Sequence, residues 1–325
     1  TISAKLEKDG EYDAKLSAFK QEPVKKFTFD STTLVEKASK DLEEQCKKGL
    51  VAKSISKKTI KRSPREPFRT SVLQQQASNR FGFTPKRTMQ VAQSLYAREG
   101  GGLITYIRTD SIEIDEGKVP AVRSQVASMF GEDFVQPRNY KNKKEAKNIQ
   151  EAHGAITPVD ISLVPADAKK ILKDDEFKLY QLIWQRTVAS QMKDAIFERT
   201  SIEFVPTGDE SLATFSFSDQ ELIFSGYLEA TQEEVTNNKP PLINENDAIG
   251  FKELVKTQHF TDPPPRYNDA SMIKALEEKG IGRPSTYADI LSKLTDRKYI
   301  WLKQKRYEPS DMGRLVSNFL NERFG

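Results

Sequence analysis

The periodicity of apolar residues changes twice along this chain of 325 residues, and that order limits the folds it can adopt. Apolar and polar residues alternate over about 2–29, recur at helical spacing from residue 70 onward, and alternate again over about 196–229. A helical block therefore lies between two β-rich segments. This order predicts an α+β multidomain protein in which a helical domain is inserted into a β-rich one, and the length fits two or three cores.

The C-terminal stretch has a different pattern. It predicts a helix from Asp269, a turn, and a second helix from Ser285. A strand pair over 299–307 and a helix from Ser310 follow, with Ser285 and Ser310 as N-caps. Two helices followed by a two-stranded wing resemble a winged helix-turn-helix, which binds DNA or other proteins. We therefore predict domain boundaries that divide the chain into 1–73, 74–199, 200–265 and 266–325.

The charge of the chain is nearly balanced, with 51 basic and 47 acidic residues and a formal net charge of +4. That sum is ordinary for a soluble domain, so it does not by itself indicate a nucleic-acid partner. One short run concentrates positive charge, and it fits either a DNA-facing ribbon or a solvated strand. Its members are Lys53, Lys57, Lys58, Lys61, Arg62, Arg65 and Arg69.

The single cysteine, Cys46, excludes an internal disulfide and a zinc site built from cysteines. No apolar run reaches membrane-spanning length and no secretory leader precedes the first strand, so we expect a soluble, cytoplasmic protein that contacts no membrane. Because Ile2 already lies in a strand pattern, we also expect the chain to be a fragment of a longer protein.

The segment 102–111 is the most informative about chemistry, since it is a short apolar run that carries a phenol and then a guanidinium. As a strand, it would place Tyr106 and Arg108 on the same face. A free phenol has a pKa near ~10 and needs a nearby cation to attack phosphorus, and an arginine supplies that charge while it neutralises the phosphoryl oxygens. The same pattern also fits a core strand with an exposed arginine.

Four segments together resemble the type IA DNA topoisomerase family. Residues 102–111 resemble its active-site segment, 151–158 resemble its histidine motif, and 280–288 match its Gly-Ile-Gly-Arg-Pro-Ser-Thr-Tyr signature without a change. Residues 61–75 resemble the lead-in to the active-site domain of the bacterial topoisomerase I members rather than of topoisomerase III. The resemblance covers essentially the whole chain.

The resemblance implies roles for three catalytic residues. Tyr106 would form a 5′-phosphotyrosyl link to one DNA strand, and Arg108 would contact the phosphate being cut. His153 would contact phosphate or handle a proton, although a lone histidine is also compatible with a structural role. Gly154 and Thr157 stand where the family has Glu and Arg, so the motif's second cation is replaced here.

The resemblance also implies a DNA-binding groove. Arg283, Ser285 and Thr286 would border it, where a capped helix N-terminus can hold a phosphate, and Arg297 would contact DNA. The residues alone also fit a plain helix-turn-helix corner. The other histidine, His259, is interpreted as structural.

The implied enzyme cuts one strand, passes the other through the gap and reseals it, so that negative supercoils relax without ATP. By the same resemblance the β-rich segments form an arch that lets the active-site domain swing away as a gate. Its partners would be single-stranded and negatively supercoiled DNA, and we expect a monomer associated with the nucleoid.

The resemblance also implies Mg²⁺, which the acidic triad of a Toprim domain would bind. Neither that domain nor the family's Gly-Arg-Val-Gln segment is in this sequence. The acidic run 174–176 is better explained as the start of a helix.

Three alternatives stay open from the sequence. In the first, the chain in isolation is an inactive single-stranded DNA-binding module; a supercoil relaxation assay set against a DNA-binding assay would separate this from an enzyme. In the second, the chain is the core of a topoisomerase III or a reverse gyrase, and the lead-in at 61–75 argues against this. In the third, the chain is a structural interaction protein, which a covalent DNA adduct would exclude.

Overall fold

The computed structural model describes residues 1–142 and 153–324. Their contacts divide the chain into two units, each made of three segments. The first, here called the β unit, comprises Thr1–Arg62, Ala195–Ser225 and Glu233–Pro263. The second, the helical unit, comprises Ser63–Asp194, Gly226–Gln232 and Pro264–Gly325. The division into four domains at 73, 199 and 265 stays a prediction.

The β unit is built on one antiparallel sheet with the strand order β1-β7-β4-β5-β6-β2-β3. Because β1 also pairs with β2, the sheet closes on itself. Strand β6 lies within the segment 196–229, whose alternation predicts strands. The strands are β1 (Ile2–Glu7), β2 (Glu11–Phe19), β3 (Glu22–Pro23), β4 (Leu50–Arg62), β5 (Ala195–Pro206), β6 (Ala213–Phe224) and β7 (Ala248–Lys256).

A single helix, α1 (Thr32–Cys46), accompanies this sheet in the described part of the β unit. It begins at Ser31, whose hydroxyl accepts a hydrogen bond from the Leu34 N–H, as expected for an N-cap. Its buried face contributes Ala38, Leu42 and Cys46 to one core with inward-facing strand residues. Burial raises the pKa of the Cys46 thiol to about 12, so the thiol is unreactive in the folded unit.

The helical unit packs its helices around α6 (Asp174–Ala189), which buries most of its side chains. Glycine and proline punctuate its start: Gly82, in the left-handed conformation, ends α2, and Pro85 opens α3. The other helices are α2 (Thr70–Phe81), α3 (Pro85–Tyr96), α4 (Val119–Phe130), α5 (Pro165–Ile171) and α7 (Leu228–Thr231), with a 3₁₀ turn at Glu132–Phe134. The α+β fold class is confirmed.

The order predicted for the C-terminal stretch is also confirmed, with one correction. Ser310 caps α10, since its hydroxyl accepts from the Gly313 N–H at 2.9 Å, but Ser285 is not an N-cap. Helix α9 begins two residues later, because the Thr286 hydroxyl accepts the Arg283 N–H at 2.8 Å and closes a turn there. The elements are α8 (Asp269–Glu278), α9 (Tyr287–Asp296), β8 (Ile300–Lys303), β9 (Arg306–Pro309) and α10 (Asp311–Phe324).

Among the residues that the structure describes, no helix has the length and apolar character needed to cross a membrane.

Candidate active site

The segment that carries Tyr106 is not a strand, contrary to the sequence prediction. It runs in an extended path with one isolated bridge, between Ile104 and Pro158. Ile104 and Ile107 are both buried although they are three residues apart, so side chains do not alternate between two faces. The face shared by Tyr106 and Arg108 therefore does not follow from strand geometry: Tyr106 is half-buried, whereas Arg108 is exposed.

Hydrogen bonds from two neighbouring segments fix this path instead. The buried Thr70 hydroxyl donates to the Ile107 carbonyl at 2.7 Å and accepts the Thr109 N–H at 2.9 Å. On the other side Thr105 exchanges backbone and hydroxyl hydrogen bonds with Ala155 and Thr157. The tyrosine thus lies on a segment whose conformation is set by residues before and after it in the chain.

Two glycines allow the close approach of these segments. Gly102 starts the tyrosine segment, and a Cβ atom on it would collide with the carbonyl group of Tyr96. A Cβ atom on Gly154 would lie 2.9 Å from the Glu113 carbonyl oxygen. The close approach of the Glu113 carbonyl therefore explains why this chain has glycine at position 154, where the family has Glu.

The ring of Tyr106 is held between two other rings. The centroid of His153 lies 4.4 Å from it, and the Tyr96 ring meets it edge-on at 5.7 Å. Within 1–142 and 153–324 no residue hydrogen-bonds to Tyr106 Oη. The phenol is thus oriented by packing, and its oxygen is available to a reactant. Glu151 and Ala152 of the histidine motif lie outside the described residues.

Two positions at which the family carries an arginine differ in charge here. The exposed Arg108 guanidinium makes no ion pair with any residue that the structure describes. Thr157, at the position where the family has Arg, is buried, and its backbone N–H donates to the Thr105 hydroxyl at 2.9 Å. The chain therefore keeps an exposed cation at position 108, whereas position 157 carries no charge.

A cluster of charged residues joins this segment to the Gly-Ile-Gly-Arg-Pro-Ser-Thr-Tyr motif. Glu277, at the end of α8, accepts hydrogen bonds from Arg69 Nε at 2.9 Å and from the Ser71 hydroxyl at 2.6 Å. Burial and the charge of Glu277 raise the pKa of Asp110, whereas Arg283 and Arg69 act in the opposite direction. Arg283 is therefore close enough to the tyrosine segment to act on its last carboxylate.

The other predicted groove residues are exposed but differ in position. Ser285 and Thr286 lie in the turn that precedes α9, on the same side as Arg283. Arg297 follows the last residue of α9, about 15 Å away along a ten-residue helix. The structure thus groups Arg283, Ser285 and Thr286, and it does not bring Arg297 to them.

The tyrosine of that motif, Tyr287, is not an alternative nucleophile. It is buried in a small core with Ile273, Leu291 and Tyr307, and burial raises its pKa to about 12. Among these phenols, Tyr106 is the one with an accessible ring beside an exposed cation.

The basic run is partly neutralised within the β unit. Lys53 pairs with Glu210 and Lys57 with Glu198, at 2.7 and 2.8 Å. The guanidinium of Arg62 lies over the Phe197 ring, 4.2 Å from its centroid. These contacts favour the solvated strand over a continuous DNA-facing ribbon.

The acidic run 174–176 opens α6, as predicted, and its carboxylates have protein partners. Asp175 pairs with Arg87 at 2.6 Å, and Glu176 accepts from Ser94 and lies 3.7 Å from Arg98. In the described parts of the chain no three His, Cys, Asp or Glu side chains come together in a way that suits a metal ion. Asp110 of the tyrosine segment and Glu277 share their surroundings with Arg69 and Arg283, so these two acids do not fit a Mg²⁺ site by themselves.

Comparison with known proteins identifies the family. A family model described as DNA topoisomerase matches residues 1–325. The chain belongs to the DNA topoisomerase family. DNA topoisomerase 1 of Rickettsia bellii (strain RML369-C) is 42% identical over 322 residues, which cover 95% of this chain and 39% of that protein. DNA topoisomerase 1 of Zymomonas mobilis subsp. mobilis is 38% identical over 339 residues, covering 100% and 27% respectively.

A solved structure agrees with these relatives. The full-length topoisomerase I of Thermotoga maritima matches with a TM-score of 0.77 and 30% identity, over 99% of this chain and 51% of that one. The resemblance to bacterial type IA topoisomerase I is thereby confirmed. The topoisomerase chain spans about two fifths of the length of the Rickettsia relative.

Sequence reasoning missed three residues of this topoisomerase site. Thr70 hydrogen-bonds to the tyrosine segment from a distant position, Glu277 accepts hydrogen bonds from Arg69 and Ser71 on either side of Thr70, and Tyr96 contacts the ring of Tyr106. Thr70 had a detectable signal, since it stands at the predicted start of a helix inside the resembling lead-in. Glu277 and Tyr96 lie on ordinary helical surfaces, where no local pattern sets them apart.

Proposed function

We propose that this chain carries the nucleophile of a topoisomerase that cleaves one DNA strand and reseals it. The Tyr106 oxygen attacks a backbone phosphorus and loses its proton, the bond from phosphorus to the 3′-oxygen breaks, and that oxygen leaves as a hydroxyl after taking up a proton. Resealing is the reverse. The energy of the broken bond is kept in the 5′-phosphotyrosyl link, so no nucleotide is consumed.

One observation carries this proposal. The Tyr106 ring is packed against His153 and Tyr96, its oxygen is unengaged by the described residues, and an exposed guanidinium follows two residues later. Such an arrangement orients a nucleophile and leaves the cation available for phosphate. Of the remaining candidates, we assign phosphate contact or proton handling to His153, the border of the groove to Arg283, Ser285 and Thr286, and a DNA contact to Arg297.

The proposed substrates are single-stranded and negatively supercoiled DNA, handled by a monomer in the bacterial cytoplasm. The family uses Mg²⁺, and we place that ion on a Toprim domain outside this chain, where it would help to orient the phosphate and balance charge on the leaving oxygen. The segments before and after the helical domain would form the arch through which the second strand passes.

The test is adduct formation by the full-length enzyme on an end-labelled oligonucleotide. Tyr106→Phe removes one oxygen and no charge, so we expect it to abolish the covalent adduct while noncovalent binding stays nearly unchanged. Tyr96→Phe is the matched control, because it changes the neighbouring phenol in the same way and should still form adduct. A normal adduct from Tyr106→Phe would overturn the proposal.

A further inference from the structure

The hairpin of β8 and β9 exposes a tryptophan on its outward face. Ile300 packs against the small core, and Tyr307, the partner of Leu302, is buried in it, so these residues share the core-facing side of the hairpin, on which Leu302 remains 52% exposed. Trp301 and Lys303 alternate with these residues and pair with Glu308 and Arg306 across the hairpin. Trp301 is 50% exposed, whereas the other tryptophan of the chain, Trp184, is 2% exposed and donates to the Ile161 carbonyl.

The outward face is also positively charged. Lys303 and Arg306 lie next to each other across the strands, and Lys305 occupies the turn. The acid on this face, Glu308, lies 3.9 Å from Arg266, which offsets its charge. A large exposed aromatic ring flanked by cations matches the two requirements of a single-stranded nucleic-acid contact, a stacking surface and charges for the backbone.

The hairpin is a firm support for such a contact. Gln304 and Lys305 form a two-residue turn with both φ angles positive, at 49° and 60°, as in the tight turns that match the twist of paired strands. Arg306 donates to the Arg266 carbonyl at 2.8 Å, which anchors the second strand. The backbone that carries Trp301 is therefore fixed before binding, so that only the side chain remains to be ordered by a ligand.

We propose that this face binds an unpaired base of single-stranded DNA, with Trp301 as the stacking platform and Lys303 and Arg306 as contacts to the adjoining phosphates. The proposal rests on the proposed function for the presence of DNA and adds a second point of contact to it. Its chemistry is independent of cleavage, because Trp301 has no part in the tyrosine site.

Tryptophan fluorescence tests the stacking directly. The emission of the parent chain minus that of Trp301→Phe isolates Trp301, and the buried Trp184 serves as an internal reference. At saturating concentrations, a short oligothymidylate should quench this difference signal, because the base contacts the ring. An abasic oligomer of the same length and charge should leave it unchanged.

Affinity gives a second readout. Trp301→Ala should weaken oligothymidylate binding by about tenfold, as expected for the loss of one stacked base. Leu302→Ala is the matched control, because Leu302 is 52% exposed on the same strand but on the other face, and it should bind as the parent does. Lys303→Ala should instead lower the salt dependence of the binding constant by about one released counterion. Oligothymidylate should still quench Trp301 emission in this variant.

Three results would overturn the proposal. The first is equal quenching by the abasic oligomer, and the second is a loss of affinity in Leu302→Ala as large as in Trp301→Ala. The third is Trp301 emission already protected from iodide without DNA, which would mean that a protein segment covers the ring. None of these would affect adduct formation by Tyr106, so the two proposals fail separately.

Discussion

At the residue scale, the environment of Tyr106 consists of rings rather than fixed charges. Tyr96 and His153 restrict where the phenol oxygen points, but in the described residues neither donates a hydrogen bond to it. The positive charge lies on Arg108, whose exposed side chain is available to a phosphate. Orientation and charge stabilisation thus come from different residues, and substitution can separate them.

Arg108→Ala should retain some adduct but lower its rate of formation by about 10²- to 10³-fold, the usual effect of losing one preorganised charge-stabilising donor. Arg108→Lys should recover only part of this loss, because a point charge does not reproduce the two parallel hydrogen bonds of a guanidinium. The measurement is the single-turnover rate of 5′-phosphotyrosyl formation in the full-length enzyme. Wild-type rates from Arg108→Ala would remove the assigned role and leave that of Tyr106 intact.

Asp110 gives a prediction on pH and stability. Burial, followed by the charge of Glu277, raises its pKa in the folded state above the ordinary value of 3.8. The folded chain then binds this proton more tightly than the unfolded chain, so the contribution of Asp110 to stability improves as the pH falls through the raised pKa. Asp110→Asn should therefore raise the urea midpoint at neutral pH and match the parent below pH 3.8, as followed by Trp184 emission.

The control for this substitution is Asp133→Asn, because Asp133 is exposed in the 3₁₀ turn and makes no ion pair with any residue that the structure describes. Its midpoint should follow that of the parent at every pH. An Asp110→Asn midpoint below the parent's at neutral pH would show that the carboxylate stabilises the fold.

At the scale of elements, the tyrosine segment is held by the start of α2, which takes the role that a paired strand would have in a sheet. The sequence correctly predicts α2 and α3, because their caps are local: Gly82 follows α2, and the Thr84 hydroxyl accepts the Arg87 N–H at 3.2 Å. It predicts a strand for 102–111 because apolar residues are dense there. Among the described residues the segment joins no strand ladder. Its hydrogen bonds link it to residues that are distant in sequence, through the Thr70 and Thr105 hydroxyls and through the backbone, and periodicity does not detect such links.

Thr70→Val tests this element. The substitution keeps the shape of a fully buried side chain but leaves the Thr109 N–H and the Ile107 carbonyl without the hydroxyl, at a cost of about 1–3 kcal/mol in the free energy of unfolding. Because these bonds set the path of the tyrosine segment, adduct formation should slow as well. Thr70→Ser restores the hydroxyl and should recover most of the rate. A wild-type rate for Thr70→Val would show that the hydrogen bonds of Thr70 are not needed for catalysis.

At the scale of the whole molecule, sequence periodicity identifies both kinds of unit but not how the chain is shared between them. The alternation over 2–29 and 196–229 predicts the sheet, and the helical spacing after residue 70 predicts the core around α6. The return of 226–232 to the helical unit had no signal, because its helix, α7, is only four residues long. Nor does alternation reveal closure of the sheet, which depends on which strands pair and not on which residues are buried.

The pairing of β1 with β7 has a consequence for synthesis. Ile2 meets Lys256, so these two paired strands leave the ribosome far apart in time, with two of the three segments of the helical unit made between them. Until β7 emerges, the edge of β1 that it will cover has no partner, and an unpaired strand edge is a site where other chains can attach. This edge of β1 therefore stays open until Lys256 has been synthesised.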